Sequence, residues 1–142
     1  MNTQERLSLP ITLASRLGKD ADSADIAGAI DAIWVEIDAR MFSILGQRGV
    51  AALYQRSLFV THRAYPWLAG TFDGVHATIN LPLLRATLLQ QTPTNALAAS
   101  RVFLQTFEAL LTSLVGPSLT DRLLCSVCKN SFSGTSAQDA SL

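Results

Sequence analysis

The segment SADIAGAIDAIWVEIDARMFSIL, residues 23–45, decides the fold class. Within it Ile26, Ile30, Ile33, Trp34, Ile37, Met41, Ile44 and Leu45 recur at intervals of three and four, the spacing that places side chains on one face of an α-helix. Asp22 or Ser23 can accept hydrogen bonds from the unpaired N–H groups of the first turn and so cap the segment. The prediction is a helix of about six turns, roughly 30 Å long. Gly46 ends this helix one, and Gly49 reopens the chain. Val50, Leu53, Tyr54, Ser57, Leu58 and Thr61 then repeat at the same spacing and define helix two, which runs to about Arg63.

Working outward, Ser8 can cap a short helix over Pro10 to Leu17, with proline tolerated in the first turn and Gly18 placed to stop it. Downstream, Tyr65-Pro66-Trp67 breaks helix two, because proline disfavours helical geometry in the residue before it; Gly70 to Ala77 shows neither periodicity and reads as a central loop. Asn80 caps a short helix with Pro82 in its first turn and Leu81, Leu84 and Leu88 on one side. Thr92-Pro93-Thr94 closes it. Thr94 is read as the cap of a long helix in which Leu97, Phe103, Leu104, Phe107, Leu110, Leu111 and Leu114 fill an arc of roughly 140°. Gly116-Pro117 supplies a stop, and Ser118 starts a last helix with Leu119, Leu123 and Val127 on one face. No strand alternation of useful length and no internal repeat occurs. The expected fold is all-α, an antiparallel bundle of four to five main helices plus a short N-terminal helix, forming a single domain over residues 1–128. A small, polar tail over 129–142 is expected to be disordered.

Composition narrows the function classes. The 142 residues hold eleven Lys plus Arg and eleven Asp plus Glu, so no bulk field draws the protein toward nucleic acid or anionic lipid. Only 15% of residues are charged and 49% are hydrophobic, which leaves apolar surface for another chain. The N-terminus lacks the cationic region, apolar stretch and cleavage site of a signal peptide, and residues 102–120 contain Glu108, Gly116 and Pro117, so neither secretion nor a membrane span is expected. A cytoplasmic location is the expectation.

Cys125-Ser126-Val127-Cys128 is the one recognised short motif; thiolates so spaced can share a metal or form a redox pair. A structural zinc needs four ligands, and the other soft candidates, His62 and His76, lie far upstream, so incidental thiols are favoured and no metal or cofactor is assigned. Neither Glu36 nor Glu108 has a histidine three residues later, against a di-iron bundle. His62 stands outside a phosphorelay motif, and no nucleophile-elbow, P-loop or dinucleotide-binding sequence occurs. No catalytic residue is assigned, and the expectation is a non-enzyme.

Surfaces are more informative. On helix two, Arg48, Gln55, Arg56, His62 and Arg63 fall opposite Val50, Tyr54 and Leu58, with Phe59 in the middle of that polar side. A solvated basic face pairing with Asp31, Glu36 or Asp38 of helix one accounts for it; a partner-binding face for an acidic protein accounts for Phe59 as well. Val35 and Phe42, seven residues apart, lie off the apolar arc of helix one and form a second seam for another subunit, unless the N-terminal helix or the central loop covers them. Tyr65, Trp67, Phe72 and His76, near Asp73, are either a packed lid or the lining of a ligand pocket at the bundle end.

The run Ile44-Leu45-Gly46-Gln47-Arg48-Gly49-Val50-Ala51-Ala52-Leu53-Tyr54-Gln55-Arg56-Ser57-Leu58, then Tyr65-Pro66-Trp67-Leu68, and later Leu114-Val115-Gly116-Pro117-Ser118-Leu119-Thr120-Asp121-Arg122-Leu123-Leu124, resembles a small uncharacterised family of bacterial all-helical proteins. The resemblance covers about residues 25–127 and leaves out the cysteine pair. Members occur alone or beside histidine kinases and response regulators, which implies a signalling accessory role. The function expected is an interaction or regulatory module, a homodimer that docks a signalling protein through helix one or helix two. The alternative is a small-molecule sensor using the pocket near Tyr65 and Trp67.

Overall fold

The structure, a computed structural model, describes residues 9–71, 80–125 and 127. Among them every regular element is helical, so the protein is all-α. The elements are α1 (Leu9–Arg16), α2 (Ser23–His62), a 3₁₀ segment (Pro66–Thr71), α3 (Leu81–Leu89), α4 (Pro93–Val115) and α5 over 117–125. Ser8, Phe72, His76, Cys128 and the tail 129–142 lie outside the described residues.

Helices one and two of the sequence are the two arms of α2, separated as expected at Gly46, whose φ of 78° and ψ of 164° belong to neither helix nor strand. The second arm starts directly at residue 47 instead of at Gly49, and the two arms, 23–45 and 47–62, fold back on one another. Trp34 and Tyr54 are twenty residues apart, roughly 30 Å along a straight helix, yet their ring centroids stand 4.9 Å apart. Asp22 caps the first arm: its side chain accepts from Asp25 N at 2.9 Å while Asp25 Oδ2 accepts from Asp22 N at 3.1 Å, a reciprocal capping box. Gly49 is held by the corner as well. A Cβ there would lie 2.9 Å from Leu45 Cβ, so the chain can turn this tightly only with hydrogen at that position.

The core forms where α4 lies against both arms. Trp34 meets Tyr54 edge-on, stacks on Phe103 at 5.2 Å and meets Phe107 edge-on at 4.7 Å, and Tyr54 meets Phe103 at 5.5 Å. All four rings are buried, and aromatic pairs at these separations each contribute about 0.5–1.5 kcal/mol beyond the area they remove from water. Ser57 and Thr61 bring small hydroxyls to the inner face of the second arm, where each donates to the carbonyl four residues back, Leu53 O and Ser57 O, both at 2.7 Å.

The shorter helices seal the ends. α1 buries Leu9, Thr12 and Leu13 against α4 and α2, and Glu108 Oε1 accepts from Leu9 N at 3.2 Å, a carboxylate at a helix start where the unpaired N–H groups favour it. The expected short helix at Pro10 to Leu17 thus begins one residue earlier and ends one residue sooner. α3 packs on α2 and the 3₁₀ segment through Leu84 and Leu88, and Asn80 caps it as predicted, accepting from Leu83 N at 3.1 Å.

Four local expectations are corrected. The cap of α4 is Thr92, which accepts from Asn95 N at 3.2 Å and leaves Pro93 as the first helical residue; Thr94 is already inside. The Tyr65-Pro66-Trp67 break contains a 3₁₀ turn that buries Leu68 and Thr71, since Pro66 fits the first position of a tight turn as well as it ends an α-helix. Ile44 and Leu114 are not core residues: they are 51% and 61% exposed, because each sits within two residues of a glycine corner, Gly46 or Gly116, where the covering helix has already turned away. α5 starts at 117 and buries Thr120 and Leu124, with Leu119 and Leu123 half-buried at the margin of that face; Val127, beyond its range, is buried as well.

Gly46→Ala tests the corner. Nothing lies within 4 Å of a Cβ built there, so the cost is backbone strain alone. A loss of about 1–3 kcal/mol in urea unfolding is expected, with unchanged helical circular dichroism in the native state.

Candidate functional site

The outer faces of the two α2 arms carry the exposed apolar and basic groups singled out in the sequence. On the first arm Val35 is 54% and Phe42 55% exposed, so α1 does not cover them. On the second arm Phe59 is 39% exposed and lies between two guanidinium groups, with Arg56 Cζ 5.8 Å and Arg63 Cζ 5.6 Å from its ring centroid. His62 packs its ring 5.3 Å from Phe59, with its Nδ1 against the Phe59 carbonyl oxygen. Arg48 is exposed near the start of the same arm.

The expected pairing of the helix-two arginines with helix-one acids is corrected for two of the three acids. Glu36 pairs with Arg16 of α1 at 3.1 Å, and Asp31 faces Arg85 of α3 at 3.9 Å. α1 and α3 flank the first arm closely enough to supply these cations, while Arg56 and Arg63 lie over Phe59. The result is an exposed aromatic ring with two guanidinium groups beside it.

The second candidate site is only partly brought together. Tyr65 and Trp67 are half-buried against the core with ring centroids 6.1 Å apart, edge to face. Their expected companions Phe72 and His76 fall outside the described residues. Cys125 is a half-buried free thiol, and its partner in the motif, Cys128, is likewise outside. Among the described residues no three His, Cys, Asp or Glu side chains converge as metal ligands would, and no helix is long and apolar enough to cross a membrane.

One feature of the core escaped the sequence reading. Trp34 Nε1, Tyr54 OH and Ser100 Oγ are buried without a hydrogen-bond partner among the described residues. Periodicity marks Trp34 and Tyr54 as inward-facing, but whether a polar tip finds an acceptor depends on what the opposing helix presents, and α4 presents Phe103 and Phe107. Burial is the main cause, with the nearby Asp31 carboxylate second, that pushes the Tyr54 phenol well above the usual tyrosine range.

No family model, curated protein or solved structure matches the chain.

The raised Tyr54 pKa has a testable sign. The native state keeps the phenol neutral, so its contribution to stability is complete below about pH 10, where the unfolded phenol ionises, and falls as pH rises beyond it. Tyr54→Phe removes both this alkaline loss and an unpaired buried hydroxyl. Urea unfolding is therefore expected to show a stability at pH 7 equal to or above wild type, and a flatter decline above about pH 10.

Proposed function

We propose that the chain is a non-enzymatic interaction module that docks a partner protein through the outer faces of the α2 arms. Its architecture in this reading is an antiparallel bundle of four to five main helices with the short α1 in front. The observation that carries the proposal is Phe59, exposed between Arg56 and Arg63. A surface aromatic flanked by guanidinium groups has the composition of an interface anchor, since aromatic residues and arginine dominate binding energy where they become desolvated. The arginines suit an acidic partner, and Val35 and Phe42 extend the apolar area along the neighbouring arm. The resemblance to helical proteins found beside histidine kinases and response regulators supports a signalling protein as that partner, in the cytoplasm, with the chain as accessory or regulator.

The double variant Arg56→Glu/Phe59→Ala tests this. Both side chains lie at the surface, so its melting temperature is expected within about 3 °C of wild type. Immobilised wild-type chain is expected to retain from an extract of its own host a set of proteins that the variant does not. Identical retention by the two overturns the proposal.

A second reading, a small-molecule sensor, draws on the edge-to-face pair Tyr65 and Trp67 beside the helix break. A metabolite bound there at a hundred times its Kd would stabilise the fold by about 2.7 kcal/mol. A thermal-shift screen with Trp67→Ala as control is expected to show that rise in the wild type alone; a screen without any shift removes this reading.

A further inference from the structure

The chain's neutral total conceals a segregation of charge. Residues 20–38 contain Asp20, Asp22, Asp25, Asp31, Glu36 and Asp38 and no lysine or arginine, whereas residues 39–72 contain Arg40, Arg48, Arg56 and Arg63 and no acid. The Gly46 corner places these two stretches side by side, as the Trp34–Tyr54 contact requires. The first arm, 23–45, thus carries four acids, Asp25, Asp31, Glu36 and Asp38, against the single exposed Arg40, and the second arm carries arginines and no acid; each turns outward exposed apolar groups beside its dominant charge.

On the first arm that face has a regular spacing. Gly28, Ala32, Val35, Ala39 and Phe42 succeed one another at intervals of four, three, four and three, the interval of a coiled-coil seam, and every one of them is half-buried or exposed. Asp31 and Asp38 lie along one flank of this seam. On the second arm Phe59 and Val60, 39% and 36% exposed, lie beside Arg56 and Arg63. Neither face suits its own image, because acid would meet acid and arginine would meet arginine. Each suits the other.

We infer that the occupant of the Phe59 face is a second copy of this chain, which inserts its Val35–Phe42 seam between Arg56 and Arg63 and sets Asp31 and Asp38 against those guanidinium groups. A two-fold operator makes the exchange reciprocal, so both faces are used twice and the assembly closes as a dimer. The Asp31–Arg85 contact does not compete strongly. It spans 3.9 Å with the Arg85 side chain 54% exposed, an arrangement of little net strength. This inference rests on the α2 faces being docking surfaces and names what covers them; an acidic signalling partner would compete with the second copy for the same arginines.

The test uses charge exchange. In light scattering the wild type is expected to be a dimer at micromolar concentration, dissociating at least about tenfold more readily when salt is raised from about 0.05 to about 0.5 M. Arg56→Glu/Arg63→Glu has two acidic faces and Asp31→Lys/Asp38→Lys has two basic ones, so each alone is expected to be a monomer with native helical circular dichroism. Mixed in equal amounts they are expected to recover the dimer. If either fails to fold, the salt dependence of the wild type and the milder Arg56→Gln/Arg63→Gln, expected about tenfold weaker in self-association, decide the matter. A wild-type monomer, a dimer indifferent to salt and to both reversals, or a mixture that stays monomeric each overturns the inference. A wild-type monomer whose retention of host proteins is still lost in Arg56→Glu/Phe59→Ala overturns it while leaving the docking reading intact.

Discussion

The contact between Trp34 and Tyr54 is the constraint on which the rest of the structure depends. Two helical arms with a combined length of 40 residues can meet at 4.9 Å only if the chain reverses between them, and Gly46 is the residue at which it does. Once the rings are in place they offer a flat face and an edge to α4, which answers with Phe103 and Phe107, and the position of α4 fixes Glu108 at the start of α1. The same contact turns the remaining sides of both arms away from the core, so the exposure of Val35, Phe42 and Phe59 follows from where Trp34 and Tyr54 point.

Much of this was legible from the sequence because helices are local. The all-α class, the cap at Asn80, the stops at Gly46 and Gly116, and the inward faces of both α2 arms depend on spacings within one or two turns. The misses occur where a neighbour decides. Ile44 and Leu114 have core periodicity, yet a helical pattern does not reveal how far the covering helix extends, and each is exposed beside its corner. The displaced cap of α4 is a different matter. Pro93 is well suited to the first helical position, which makes Thr92 the natural cap, so the local signal existed and Thr94 was the wrong choice between the two threonines that flank the proline.

The candidate site divides in the same way. That Phe59 lies among arginines on the polar side of its helix is a matter of i, i+3 and i, i+4 geometry and could be read directly. The partners of Glu36 and Asp31 could not, since Arg16 and Arg85 arrive from helices whose docking depends on the core. The tips of Trp34, Tyr54 and Ser100, without hydrogen-bond partners among the described residues, belong with these: each depends on the face that another helix presents, a quantity no single-segment pattern contains.

Exposed apolar side chains normally count against a monomer, and the way Phe59 is exposed bears on its use. Guanidinium groups at 5.6 and 5.8 Å lie within cation–π range of the ring, and in the proposed docking role such contacts would leave less conformational freedom to be lost on binding. The same cations are attached to long apolar stems that can lie against a second apolar surface while their charged ends reach its acids. A face made in this way resists burial by an uncharged apolar surface, because that would leave two guanidinium groups desolvated and unpaired, and accepts one that brings carboxylates to them. In the proposed docking role, a preference for an acidic and apolar surface would therefore rest on the arrangement of three side chains on one helix.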